Sequence, residues 1–175
     1  EISECLVGSE MCIRDRDTIK HYYISVDKRN RVELLRKFSN IPDFRGLVFF
    51  NSLSDLGATE ERLQFNGASA VSLASDINVK FRKVILEKFK NHEISLLLGT
   101  DLLARGIDIE NLEVVINFDI PRDREAYTHR AGRTGRMGNE GSVISLVTHP
   151  EDLKKLKKFA KVSELVIKNQ ELHEK

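Results

Sequence analysis

The segment His129-Arg-Ala-Gly-Arg-Thr-Gly-Arg136 sets three arginines three residues apart, with glycines between them. Arginine is the side chain of choice for phosphate, because its planar fork bonds two oxygens at once. Glycine lets the chain turn tightly and lets a partner approach the backbone. Widening the window to Arg122 adds Arg122 and Arg124, against Asp123 and Glu125, for a net +3 across the stretch. A solvated basic loop has no need of glycines at this spacing. A second cluster is Thr100-Asp-Leu-Leu-Ala-Arg-Gly-Ile-Asp108, which packs a hydroxyl, two acids, an arginine and a glycine together. Hydroxyls and glycine amides suit phosphate oxygens, and an aspartate suits paired ribose hydroxyls. The same residues also suit a capped loop between a strand and a helix. The third cluster, Asn78 to Lys90, carries Lys80, Arg82, Lys83, Lys88 and Lys90 against Glu87 alone. It reads either as a contact for a nucleic-acid backbone or as a solvated helix face.

Two absences sharpen the first cluster. The sequence contains no Gly-x-x-x-x-Gly-Lys-Ser/Thr loop to cradle a triphosphate and no Asp-Glu-Ala-Asp to hold magnesium. Arginines fit for a terminal phosphate therefore stand without the groups that bind the rest of a nucleotide. Such a site is expected to be completed by another domain.

The elements that must position these clusters alternate along the chain. Tyr22 to Val26 is strand-like. Lys28 to Phe38 is helical, with Val32, Leu35 and Phe38 three apart. Gly46 to Phe50 is an unbroken apolar run, as expected of a strand buried on both faces. Asn51 to Ser54 supplies turn and cap chemistry, and a helix follows to about Phe65, ended by Asn66-Gly67. Ala68 to Leu73 is the next strand. Asn78 to Lys90 is a helix with Phe81, Val84, Ile85 and Phe89 on one face. Strands follow at Ser95 to Leu98 and Val114 to Phe118, then a helix from Asp123 to about Ala131, a strand from Ser142 to Val147, and a helix from Glu151 to Lys161 with Leu153, Leu156 and Phe159 inward. Strands separated by single helices predict an α/β fold, a parallel β-sheet flanked by helices on both faces. In such sheets ligands sit beyond the carboxyl ends of the strands. The polar segments after Phe50, Leu98 and Phe118 fall there.

The 175 residues suit one domain with its own core, and 41% hydrophobic with 31% charged residues is a globular balance. A net charge of +1 leaves any nucleic-acid surface to local clustering. No apolar run reaches the length of a membrane span, so no membrane partner is expected. Both cysteines, Cys5 and Cys12, lie near the start, which makes a disulfide framework or zinc site improbable. A cysteine-free remainder suits a cytoplasmic location. Residues 1–16 do not share the pattern that follows. They resemble translated sequencing-adapter remnants and read as a non-native leader, with 17–161 as the domain and 162–175 as a tail.

From Asp17 to about Lys161 the chain resembles the second, C-terminal RecA-like domain of DEAD-box ATP-dependent RNA helicases, a P-loop NTPase-type fold. The resemblance rests on Val48-Phe-Phe-Asn-Ser52, Thr100 to Asp108, Val115-Ile-Asn-Phe-Asp-Ile-Pro121 and Tyr127 to Arg136, in that order. It implies that Arg133 and Arg136 are arginine fingers at the γ-phosphate of ATP and that Asp108, with Gly106, binds the nucleotide. It implies that His129 couples the nucleotide and RNA sites. Arg105, Arg130, Gly132 and Gly135 would shape the loops and the interdomain face. Ser52, Arg82, Thr100, Asp101 and Gly106 would meet the RNA, with Arg82 either touching it or organising the cleft. The implied activity is ATP hydrolysis coupled to local unwinding of RNA duplexes. ATP would carry Mg2+ held by an N-terminal RecA-like domain, which this sequence lacks, so the chain alone is expected to be inactive. The family often has glutamine where Val79 stands and histidine where Ala74 stands. Two other readings are a non-catalytic RNA-binding or regulatory fragment and half of a related superfamily 2 DNA helicase. The latter usually carries glutamine at the position of His129.

Overall fold

In the strand Gly46–Phe50 every residue is buried, and the pleat sorts them. Val48 and Phe50 enter one core, Leu47 and Phe49 the other. Leu96 and Leu98 oppose Leu97 in the same way, and Ile116 and Phe118 oppose Val115. Side chains demanding burial on both faces can be satisfied only in a central sheet covered on each side, and the computed structural model has that architecture. It describes residues 19–73, 78–105, 109, 112–135 and 140–175.

The elements run β1 (Ile19–Ser25), a 3-10 turn, α1 (Arg31–Ser39), β2 (Gly46–Phe50), α2 (Leu53–Phe65), β3 (Ala70–Ser72), α3 (Val79–Lys90), β4 (Leu96–Thr100), α4 (Asp101–Ala104), β5 (Val114–Asn117), α5 (Arg124–Ala131), β6 (Gly141–Val147), α6 (Pro150–Phe159), β7 (Ser163–Lys168) and β8 (Glu171–Glu174). The sheet order is β3-β4-β2-β5-β6-β1-β7-β8. All pairs are parallel except β7 with β8. One core takes Val32, Leu35 and Phe38 of α1 with Leu56 and Leu63 of α2. The other takes Phe89 of α3, Tyr127 and Ala131 of α5 and Leu156 of α6. The expected parallel sheet with helices on both faces is therefore present, with Gly46–Phe50 as expected and the other strand limits shifted by at most three residues.

Two expectations are corrected. The apolar stripe expected to bury α3 is only partly buried: Phe89 is 1% exposed, whereas Phe81 is 66% and Val84 48% exposed. The reason is position. The preceding strand, β3, is the sheet edge and has three residues, so the sheet does not extend beneath the first turns of α3. The stretch set apart as a tail, 162–175, is also structured. Ser163 and Glu164 pair with Tyr22 and Tyr23 of β1, Leu165 is buried in the first core, and β7 turns into β8 through Asn169 and Gln170, both at positive φ. Asn tolerates that left-handed conformation, as hairpin turns require. Among the described residues no helix is long and apolar enough to cross a membrane. The leader, residues 1–16, lies outside the described residues.

Candidate functional site

Three strand ends and one helix meet at a single guanidinium. Arg130, on the last turn of α5, is 1% exposed, and all five of its N–H groups are used. Nε and Nη2 donate to the two carboxylate oxygens of Asp101 at 2.8 and 2.7 Å. Nη2 also donates to Asn51 Oδ1 at 2.7 Å. Nη1 donates to Asn117 Oδ1 at 3.2 Å and to the Asp119 carbonyl at 3.0 Å. The acceptors follow β2, β4 and β5, so one side chain ties the carboxyl ends of three neighbouring strands. The ring of Phe49 lies beneath it, 5.1 Å away. A charge buried this deeply is tolerable only with its hydrogen bonds complete.

A second arginine repeats the theme on the other face. Arg31, at the start of α1, donates through Nη1 to the Phe118 carbonyl and to Asp119 Oδ1, both at 3.1 Å. It stacks over the Phe118 ring at 4.0 Å. The second oxygen of Asp119 accepts from the Asn51 backbone N–H at 2.9 Å, and Asn51 Nδ2 donates to the Ile120 carbonyl. The loop after β5 is thereby fixed against the loop after β2.

On this frame opens a cleft of about 980 Å³, with Asn51, Thr100 and Asp101 on one wall and Thr128, His129 and Arg133 on the other. Helix α5 is capped by Asp123, whose carboxylate accepts from the Ala126 N–H at 2.8 Å. From that helix and the turn after it, His129 stands exposed and Arg133 half-buried on the rim. Arg133 Nη2 donates to the Ala104 carbonyl at 2.7 Å, joining the turn after α5 to α4. The turn itself is held by Leu112, whose N–H donates to the Arg133 carbonyl at 3.1 Å and whose carbonyl accepts from the Thr134 hydroxyl. Gly135 adopts φ +69°. Gly141 packs so closely on Thr134 and Gly135 that a Cβ there would lie 2.5 Å from the Gly135 nitrogen.

Residues 27–138 match the family described as the helicase conserved C-terminal domain. The chain is 43% identical over 143 residues to the probable ATP-dependent RNA helicase YfmL of Bacillus subtilis, covering 82% of this chain and 38% of that protein. It is 36% identical over 157 residues to the DEAD-box ATP-dependent RNA helicase CshC of Bacillus cereus, covering 90% and 40%. Its fold superposes on the C-terminal domain of the DEAD-box protein Dbp5 with a TM-score of 0.73 at 25% identity, covering 85% of this chain and 90% of that one. The chain belongs to the DEAD-box helicase C-terminal domains. It spans about two fifths of the length of the curated relatives it matches.

The expected site residues of this helicase domain do not all lie in one place. Arg105, Thr100, Asp101, His129, Arg130, Gly132 and Arg133 all line the cleft. Ser52 and Thr100 sit at the ends of β2 and β4, where their hydroxyls also cap helices, accepting from the N–H groups of Asp55 and Leu103. The capped-loop reading of Thr100 is thus correct as far as its hydroxyl goes. Arg82 is set apart on α3, half-buried, with a buried Nε that has no hydrogen-bond partner among the described residues. Gly106, Asp108 and Arg136 lie outside the described residues. No group of three or more His, Cys, Asp or Glu among the described residues is placed to hold a metal ion.

Several residues to which the sequence assigns no individual role prove to be positioning residues: Asn51, Asn117 and Asp119, which lie within the quoted motifs, Arg31, and the pair His21–Tyr127. Tyr127, inside the Tyr127 to Arg136 segment, is 2% exposed, and burial pushes its phenol well above the ordinary tyrosine range. Its hydroxyl is 2.6 Å from His21 Nδ1 on β1. Burial holds the His21 imidazole below its ordinary value, which favours the neutral ring. This bond anchors α5 to the sheet. Its partners are 106 residues apart, and neither residue carries a signal of the other.

Proposed function

We propose that this domain is the arginine-supplying half of an ATP-driven RNA helicase. ATP, bound by an N-terminal RecA-like domain with Mg2+, presents its γ-phosphate to the cleft rim. Arg133 and Arg136 meet it as arginine fingers, and Asp108 and Gly106 meet the nucleoside end. Ser52, Arg82, Thr100 and Gly106 contact the RNA sugar-phosphate backbone. His129, on the exposed face of α5, links the two. Closing of the two domains would bend one RNA strand away from its complement and melt a short duplex. Contacts to the backbone carry little sequence preference.

The observation that carries this reading is the division of labour between neighbouring arginines. Arg130 spends every donor on Asp101, Asn51, Asn117 and Asp119, which makes it a positioning residue. Arg133, at the next turn, lies on the cleft rim. The donor set fits phosphate, because the rim offers guanidinium groups, whereas the Asp101 carboxylate is neutralised by Arg130. The relatives' description as ATP-dependent RNA helicases supports the same substrates. With no phosphate-loop lysine in the sequence, the 175-residue chain by itself is expected to hydrolyse no ATP.

The test is Arg133→Ala in the intact helicase. A finger is worth about 10³ to 10⁵ in rate in related phosphate hydrolases. ATP binding, followed with a fluorescent analogue, should stay near the parent value while RNA-stimulated turnover falls by at least about 10³. A variant that keeps its turnover refutes the assignment.

A further inference from the structure

Helix α6 carries a run of charge that neither the fold nor the cleft uses. Lys154, Lys155, Lys157, Lys158 and Lys161 fall within eight residues that hold no acid, in a chain whose net charge is only +1. The apolar side of the helix is occupied: Leu156 is buried in the second core, and Leu153 and Phe159 pack against it. Lys154, Lys157 and Lys158 stand exposed on the other side at i, i+3 and i+4, and Lys161 is exposed just past the last turn. Among the described residues none of these lysines forms an ion pair. Cations in a last turn complement the helix dipole, which accounts for Lys157 and Lys158 but not for Lys154. Like charges at these spacings weaken a helix.

The chemistry of the face selects its occupant. Within residues 154–161 no apolar or aromatic side chain is exposed. Protein interfaces gather aromatics and arginine and are depleted in lysine. A membrane-surface helix lays its apolar side in lipid, and here that side is in the core. Single strands are gripped by stacking their bases on rings, and this face offers none. Lysine alone meets phosphate as a point charge, and an RNA duplex is met through its backbone and shape. The face also adjoins the cleft. Exposed Arg122 lines the cleft, and Arg124, in the first turn of α5, donates to the Lys158 carbonyl. Of the acids beside them, Asp123 caps α5 and Glu125 faces the cleft.

We propose that the outward face of α6 is a second RNA site, where Lys154, Lys157, Lys158 and Lys161 hold the phosphates of a duplex flanking the strand in the cleft. This inference rests on the RNA reading given above. Such a contact keeps the domain on structured RNA while the cleft releases and rebinds its strand.

The experiment is an NMR titration of the isotope-labelled 175-residue chain with a blunt twelve-base-pair RNA duplex and, separately, with a ten-nucleotide oligouridylate. The duplex is expected to shift amides over residues 154–161, and the oligouridylate those of Ser52 and Thr100. Lys154→Gln combined with Lys158→Gln should weaken duplex binding at least about tenfold at low salt and lower the slope of log affinity against log salt by about 2. Lys154→Arg with Lys158→Arg should keep both at the parent values. Urea midpoints equal to the parent's show that the variants fold. A duplex that leaves residues 154–161 silent, or an unchanged salt slope in the glutamine variant, overturns the inference; oligouridylate shifts at Ser52 and Thr100 then leave the cleft reading standing. An α6 that answers polyglutamate or anionic vesicles but not the duplex also overturns it, and assigns the lysines to an acidic protein or a membrane surface. No shift anywhere with either RNA at millimolar concentration overturns both.

Discussion

Replacing Arg130 with methionine removes the charge and all five donors at a site 1% exposed while keeping much of the volume. Breaking a buried ion pair by deleting one partner costs about 3–5 kcal/mol, because the other charge is left behind. Here the stranded acid, Asp101, has a side chain 42% exposed, so water recovers part of its solvation and favours the lower end. Against that, Asn117 is wholly buried, and an orphaned buried acceptor costs about 1–3 kcal/mol. A loss of about 3–5 kcal/mol is therefore expected, equivalent to about 6–20 °C in Tm for a chain of this size. Equilibrium urea unfolding of the 175-residue chain, followed by circular dichroism, measures it. Arg130→Lys keeps the charge but not the fork and should lose roughly half as much. Adding Asp101→Asn to Arg130→Met removes the stranded charge and should show a coupling of at least about 1 kcal/mol. A methionine variant within about 1 kcal/mol of the parent, or a double mutant that is merely additive, would refute Arg130 as the tie between strand ends.

Gly141→Ala should destabilise the domain by about 1–3 kcal/mol or more, since the added Cβ meets the backbone of Gly135; the urea midpoint reports it. Leu165→Ala should cost about 2–5 kcal/mol if β7 belongs to the core, and a negligible change would return residues 162–175 to the status of a tail. His21 has its pKa held below the ordinary 6.5 by burial, so as pH falls through about 6.5 the unfolded chain takes up a proton that the fold resists. Its contribution is complete above that pH and declines below it. Unfolding titrations from pH 7.5 to 5.5 should show stability falling with acid, and His21→Gln should flatten part of that slope.

Much of this was legible because the signals are local. The unbroken run Leu47 to Phe50 can belong only to a strand covered on both faces, and Val32, Leu35 and Phe38 can share a core only as a helix. Asp101 and Arg130 drew notice by type and surroundings, and the fold brings them together. What was not legible depends on where an element lies in the sheet. Periodicity puts Phe81 and Val84 on an apolar face of α3, but cannot tell that the sheet edge stops short of them. Leu165 and Ile167 alternate ahead of Asn169-Gln170, but the strands are short and lie beyond the repeating strand–helix pattern, so the sequence marks the hairpin only weakly. The partners of Arg130 and Tyr127 are side chains of ordinary type, made important by distances of 13 to 106 residues along the chain.

The five bonds of Arg130 also constrain how this sequence can drift. Three of its four partners, Asn51, Asp101 and Asn117, accept through side chains, and changing any one of them leaves a donor or a charge stranded against a total stability of only about 5–15 kcal/mol. A neutral path between this arrangement and another with the same strands would have to replace arginine and acid together. Accumulated single changes would pass through a chain that folds poorly before they reached one that folds differently.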